Sequence, residues 1–219
     1  VTVYDQNLTK TVLSNGLTEG RFLVAAASNP SYAVFAGGVT SNIRTSGYWK
    51  IHSYSNTGSN TVDAYSANLT KTTVSKGLEN SAHSMGAVSH LGNYAVFAGG
   101  VSSKTARNGI RFISSDLTAT IKNYYLASFG KAGLRIGNTA FFTGGYFLEY
   151  SELQLLNVGT TVTDQMTCST LSTSMGGRAA ATDIDGMIGI IKGGSLDADK
   201  QEYAAYSYLA EVIDSNLTA

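Results

Sequence analysis

The segment Tyr32-Ala-Val-Phe-Ala-Gly-Gly-Val39 returns almost unchanged as Tyr94-Ala-Val-Phe-Ala-Gly-Gly-Val101. A looser copy is Thr139-Ala-Phe-Phe-Thr-Gly-Gly-Tyr146, and a fourth is Met187-Ile-Gly-Ile-Ile-Lys-Gly-Gly194. The Gly pairs stand at 37/38, 99/100, 144/145 and 193/194, at spacings of 62, 45 and 49. Self-similarity at such a period means that one supersecondary unit is copied along the chain, and that neighbouring units share their apolar surface. Gly inside a strand is costly by roughly 0.5–1 kcal/mol, so four recurrences at one place imply a backbone need. The two needs expected are φ > 0 at the strand end and close approach of a neighbouring unit.

A second motif recurs between the Gly pairs. Val62-Asp-Ala-Tyr-Ser-Ala-Asn-Leu-Thr70 matches Ile110-Arg-Phe-Ile-Ser-Ser-Asp-Leu-Thr118, with a decayed form at Leu153-Gln-Leu-Leu-Asn-Val-Gly-Thr-Thr161. Both ends carry it too, as Val1-Thr-Val-Tyr-Asp-Gln-Asn-Leu-Thr9 and Ala210-Glu-Val-Ile-Asp-Ser-Asn-Leu-Thr218. Composition says what the copied unit is made of. Charged residues are 14% of the 219, against about 25% in an ordinary domain. Helix surfaces draw on Lys, Glu, Arg and Gln; this chain uses Thr, Ser, Tyr, Val, Gly and Asn, which are strand and turn residues. The fold class expected is all-β, and a period of this length in an all-β chain points to the four-stranded blades of a β-propeller.

Each unit divides into four strands. The first has an inner strand over 20–28, a continuous apolar strand over 32–38, a third over 61–65 ending in the turn 66–70, and a polar outer strand over 71–75. The second follows at 81–90, 93–100, 109–114 and 118–124, the third at 130–137, 139–145, 151–157 and 161–169. The fourth has 177–184, 186–194 and 208–214. Here the sequence resembles the kelch repeat family of β-propellers, in its divergent bacterial and phage-type form. The marks are the apolar run ending in Gly-Gly, a variable loop, and a strand ending in Tyr, carried by positions 32–38 with Tyr65 and by 94–100 with Ile113. The Trp that the family places after the Tyr is absent from every unit; Trp49 lies in a loop. The resemblance implies a kelch-like β-propeller of four Gly-Gly units (18–78, 79–126, 127–171 and 172–219) of four-stranded antiparallel blades, with an unmatched N-terminal half-blade over 1–17. Two readings of the half-blade stand open. Residues 10–17 complete the last blade and close a four-bladed ring, or the chain is a segment of a larger propeller.

The family is mostly a binding scaffold, so the resemblance implies a non-catalytic interaction module for a protein partner, with a carbohydrate-binding or carbohydrate-processing propeller as the alternative. A bacterial surface or virion setting, extracellular rather than cytoplasmic, goes with it, as does self-association through unpaired terminal strands. The family's usual binding face is formed by the loops after the Gly-Gly strands. Those loops hold Arg44, Tyr48, Trp49, Lys50, His52 and Tyr54, then Tyr146 and Tyr150, then Tyr203, Tyr206 and Tyr208. Tyr and Trp give rigid contact area with a polar tip, as recognition surfaces need. Arg21, His83, Lys131 and Arg178 fall near the starts of the four inner strands, where they would ring an axial entrance with positive charge.

Other classes find no residues to carry them. Fifteen basic against fifteen acidic residues leave a net charge of zero, without the basic footprint of a nucleic-acid binder. No apolar stretch approaches the ~18 residues of a membrane span. A single cysteine, Cys168, makes no internal disulfide or multi-Cys zinc site. The three histidines, His52, His83 and His90, lack the spacing of a copper site. Asp197-Ala-Asp-Lys-Gln-Glu202 lacks the Gly and third spaced carboxylate of a calcium loop. No Asp-box, nucleophile elbow or phosphate loop occurs. No cofactor, metal or catalytic residue is therefore expected. Asn7, Asn68 and Asn216 match the glycosylation pattern, but they are copies of one turn, where Asn serves turn chemistry.

Overall fold

The computed structural model describes residues 1–40, 58–74, 77–102, 105–106, 109–122, 132–143, 152–157, 166–170, 179–182, 187–192 and 210–214. All regular structure among them is β. The chain opens with a hairpin, β1 (Thr2–Tyr4) and β2 (Lys10–Val12). A first sheet follows as β3 (Ala25–Ser28), β4 (Tyr32–Ala36), β5 (Val62–Ser66) and β6 (Lys71–Val74). The second sheet begins with β7 (Gly86–Leu91) and β8 (Tyr94–Ala98). A two-stranded excursion, β9 (Val101–Ser102) and β10 (Thr105–Ala106), precedes its outer strands β11 (Ile110–Ser114) and β12 (Ala119–Lys122). The third sheet is β13 (Ala132–Ile136), β14 (Thr139–Thr143), β15 (Glu152–Asn157) and β16 (Met166–Thr170). The last has β17 (Ala179–Thr182), β18 (Ile188–Lys192) and β19 (Ala210–Asp214). Within every sheet, strands pair antiparallel in sequence order. No helix is long and apolar enough to cross a membrane among the described residues.

The sheets stack so that neighbours share cores. On β4, Val34 and Ala36 face one side of the sheet and Ala33 and Phe35 the other, as the period of two demands. We call the Val34 side the leading face and the Phe35 side the trailing face. The first core joins leading residues of the first sheet (Ala25, Ala27, Val34, Ala36, Val62, Ala64) to trailing residues of the second (Ala95, Phe97, Ile113). The second joins Val88, Val96, Ala98 and Phe112 to Ala140 and Phe142 of the third sheet. The third joins Leu134, Ile136 and Phe141 to Ile191 of the last, with Ala180 against it. The strands nearest one another across these cores are the first of each sheet: β3 beside β7, β7 beside β13, and β13 beside β17.

Gly133 shows how close that approach is. A Cβ built there would lie 2.4 Å from the carbonyl oxygen of Ala87 on β7. The two described Gly pairs meet both needs read from the repeat. Gly37 and Gly38 have φ of 64° and 105°, and Gly99 and Gly100 of 67° and 97°. A Cβ on Gly37 would stand 2.1 Å from the carbonyl oxygen of Ala82, and the Gly38 N–H donates to that same oxygen at 2.9 Å.

The inner strands start later than the sequence pattern suggests, at Ala25 and Gly86 instead of near 20 and 81. Leu23 and Ser84, both at φ 55°, break the extension. Before them only single bridges remain, Phe22 to Val39 and His83 to Val101.

The turns of the second motif share one geometry. In all three described copies the Leu is left-handed, with φ of 62° at Leu8, 62° at Leu69 and 65° at Leu117. Each Leu N–H donates back three residues, to Asp5, Ser66 and Ser114 respectively. This is the three-residue hairpin loop that ends on an αL residue. A side chain secures each loop: the Thr9 N–H donates to Asp5 Oδ1, that of Thr70 to Asn68 Oδ1, and that of Thr118 to Asp116 Oδ1. Leu117 also packs against the first core, whereas Leu8 is 79% exposed. Leu8→Gly should therefore stabilise the chain by up to about 1 kcal/mol by relieving αL strain. Leu117→Gly should destabilise it, because burial is lost as well. Urea midpoints of the two variants check the opposite signs.

Candidate functional site

The sheets have two unlike ends. Among the described residues, one carries tight turns, between β3 and β4, β5 and β6, β7 and β8, β11 and β12, and β13 and β14. The other end receives both described Gly pairs, 37/38 and 99/100, and the connections that follow them. Its first opening is framed by Val39, which bridges Phe22 on one side and Gly58 on the other. The segment 41–57 between those stems lies outside the described residues. It contains Arg44, Tyr48, Trp49, His52 and Tyr54, and the remaining loop-face candidates Tyr146, Tyr150, Tyr203 and Tyr206 lie outside them too. So do Lys131 and Arg178 of the expected axial ring. What the structure supplies is the platform beneath the loops, together with the other two cations of that ring.

Arg21 does not present its charge to solvent. Its side chain is fully buried, and Nη2 lies 2.6 Å from Asp63 Oδ2, itself fully buried. Nη1 donates to the carbonyl oxygens of Gly37 and Thr61, both at 2.8 Å. Nε lies 3.9 Å from Glu19 Oε1 and donates no hydrogen bond. The Asp63 carboxylate collects further donors: the Thr18 N–H at 3.0 Å, Thr18 Oγ1 at 2.5 Å and Thr73 Oγ1 at 2.8 Å. Burial alone would raise the Asp63 pKa. The Thr18 and Thr73 hydrogen bonds, with the Arg21 charge, outweigh it and hold the carboxyl below its ordinary 3.8.

The second sheet fills the same cage from another position. The carbonyls of Gly99 and Gly109, counterparts of Gly37 and Thr61, accept from Arg111 Nη1 at 3.3 and 3.4 Å. Arg111 occupies the place of Asp63 in the repeat. One sheet thus uses Arg21, held by Asp63, and the next uses Arg111 to tie down the equivalent two carbonyls. A planar guanidinium with five N–H donors suits such a fork. The sequence spacing gave no sign of the match, because the two arginines stand at different repeat positions.

His83 is the counterpart of Phe22, since each bridges the Val that follows a Gly pair. It is 2% exposed, and its Nδ1 lies 3.1 Å from Ser84 Oγ. Arg21 stands one residue before Phe22, so its side chain leaves the backbone on the other face from the one His83 uses. Burial pushes the His83 imidazole down to about 4 from 6.5. The native state therefore binds no proton at His83 between those values, while the unfolded chain does. Stability is whole above about pH 6.5 and should fall on acidification by about 1.4 kcal/mol per pH unit until about pH 4. His83→Phe, which copies Phe22, should flatten that slope. Urea unfolding at pH 7, 6 and 5 gives the comparison, and equal slopes for both proteins would refute it.

At the turn end, a shallow open hollow is lined by Ser31, Tyr32, Ser66, Asn68, Thr70 and Thr72. It holds hydroxyls, one amide and one ring, and no charge. No group of three or more His, Cys, Asp or Glu capable of holding a metal ion occurs among the described residues. No protein-family model matches this chain, and no curated protein matches it.

Proposed function

We propose that the chain is a kelch-like β-propeller, or a segment of one, that acts as a non-catalytic binding scaffold for a protein partner. The observation carrying this reading is the difference between the two ends. Among the described residues, tight turns of two or three residues close one end. At the other end the two residues that flank the aromatic-rich segment 41–57, Thr40 and Gly58, adjoin Val39, which is bridged on both sides, and this end is locked by buried Arg21, Asp63 and Arg111. A rigid support beneath variable, aromatic loops is how scaffolds present recognition surfaces. Of the loop candidates, Tyr48 and Trp49 are assigned the main contacts with the partner, Arg44, His52, Tyr54, Tyr146, Tyr150, Tyr203 and Tyr206 widening the surface. The resemblance to bacterial and phage-type repeats places the partner at a cell surface or on a virion.

A photo-crosslinking residue at Trp49, compared with one at Thr72 on the turn end, tests the reading. One discrete crosslinked polypeptide is expected at Trp49 alone, competed away by the unmodified chain and not by its Tyr48→Ala/Trp49→Ala variant. Equal crosslinking at both positions would sink it. Glycan-array binding that the same double substitution removes would establish the carbohydrate alternative instead. Stoichiometric copper or calcium in purified protein would overturn the non-catalytic reading.

A further inference from the structure

The stacking of sheets leaves two apolar surfaces without the cover that their equivalents have. On β4 and β5 of the first sheet, the cross-strand pair Val34 and Ala64 is fully buried, and so is the matching pair Val96 and Phe112 of the second. Both belong to leading faces, and each is covered by the trailing face of the following sheet. The matching pair of the last sheet is Ile190 and Val212. It is 45% and 52% exposed.

The second surface belongs to the N-terminal hairpin. Its register, Thr2 to Val12 and Tyr4 to Lys10, reproduces that of the outer strands of the first sheet, Asp63 to Thr73 and Tyr65 to Lys71. Thr2, Tyr4, Lys10 and Val12 are therefore its trailing-face residues. Tyr65 is 5% exposed, but its copy Tyr4 is 60% exposed and Val12 67%. A leading face thus lies open on the last sheet and a trailing face on the N-terminal hairpin. Wherever cores form within the chain, faces of these two kinds meet.

We propose that these surfaces mate between two copies of this chain, the Ile190/Val212 face of one seated on the Tyr4/Val12 face of the next. The contact is heterologous: two different patches meet, so each copy keeps one free patch and assembly continues into a ring or a fibre. It rests on the sheet stacking and is independent of the loop-end binding reading. It also replaces strand-edge pairing with packing of faces as the means of self-association.

Complementary variants give the test. Ile190→Lys spoils one patch and Tyr4→Lys the other. Sedimentation velocity of the full chain should show mass rising with concentration. Each variant alone should associate at least tenfold more weakly. An equimolar mixture should form a dimer and stop there, because only one competent pair of patches remains. Circular dichroism checks that each variant folds, and Val212→Lys substitutes for Ile190→Lys if that one does not.

Three results would overturn the proposal. The unmodified chain remains monomeric at every concentration; the mixture of folded variants remains monomeric; or association is unchanged by either substitution. A fourth concerns closure within one chain. With Cys168 replaced by Ser, Tyr4→Cys and Ile190→Cys in the same molecule should crosslink between molecules. An intramolecular disulfide would mean that the two faces close on each other.

Discussion

Asp63→Ala is expected to lower the stability of the chain by about 3–5 kcal/mol, because it strands the Arg21 guanidinium in the interior. Both side chains are fully buried, so water cannot replace the lost partner. The loss is a large share of the roughly 5–15 kcal/mol that holds a domain together. The reverse change, Arg21→Leu, should cost a similar amount, since it leaves a buried carboxylate along with the carbonyls of Gly37 and Thr61. The double variant should recover much of either loss, because removing both charges also removes both desolvation penalties. Guanidinium unfolding of the three variants measures the cycle, and a loss under about 1 kcal/mol for Asp63→Ala would contradict it. Acid has a related effect. The Asp63 carboxyl sits below its ordinary 3.8 in the folded state. Its contribution is therefore full above that value and is lost as pH falls through the lower folded one.

Gly37→Ala should be about as hard to accommodate. The new methyl would stand 2.1 Å from the Ala82 oxygen, and that oxygen is held by the Gly38 N–H. The substitution adds overpacking, worth about 1–3 kcal/mol, to left-handed strain of about 1–2 kcal/mol at φ 64°. Little folded protein should survive at 37 °C. Gly92→Ala is the control. Its φ is 56°, but a Cβ there has no atom within 4 Å, so strain alone remains, at about 1–2 kcal/mol. Thermal melts of the pair separate close approach from backbone conformation, and equal melting temperatures would show that the contact is unimportant.

Much of the architecture was legible because the repeat writes it twice. Tyr32–Ala36 and Tyr94–Ala98 are strands in the same place in their sheets, each followed by its Gly pair at positive φ. The motif ending in Leu-Thr marked the hairpin turns at Leu8, Leu69 and Leu117. What it did not reveal was the left-handed backbone at those leucines, a conformation normally left to Gly or Asn. The platform was hidden for a different reason. Arg21, read by position as an entrance cation, is an internal ligand of carbonyl oxygens. Nothing in its neighbours announces Asp63, 42 residues away. His83, read by position as a member of the same entrance ring, is carried inside by its bridge to Val101. Long-range polar pairs leave no periodic trace in a sequence, whereas apolar alternation does.

The shared cores also decide how the chain comes apart. No sheet owns its apolar interior outright: Phe97 and Ile113 of the second sheet complete the core of the first, and Ala140 and Phe142 of the third complete that of the second. The second and third sheets are each clasped on both faces, so their amides can exchange with deuterated water only when both interfaces yield. The last sheet leans on a single neighbour, the third, and the N-terminal hairpin contributes to none of the cores. Protection against exchange should therefore peak in the second and third sheets and fade toward both extremities, as in a stack whose inner members are freed only after the outer ones.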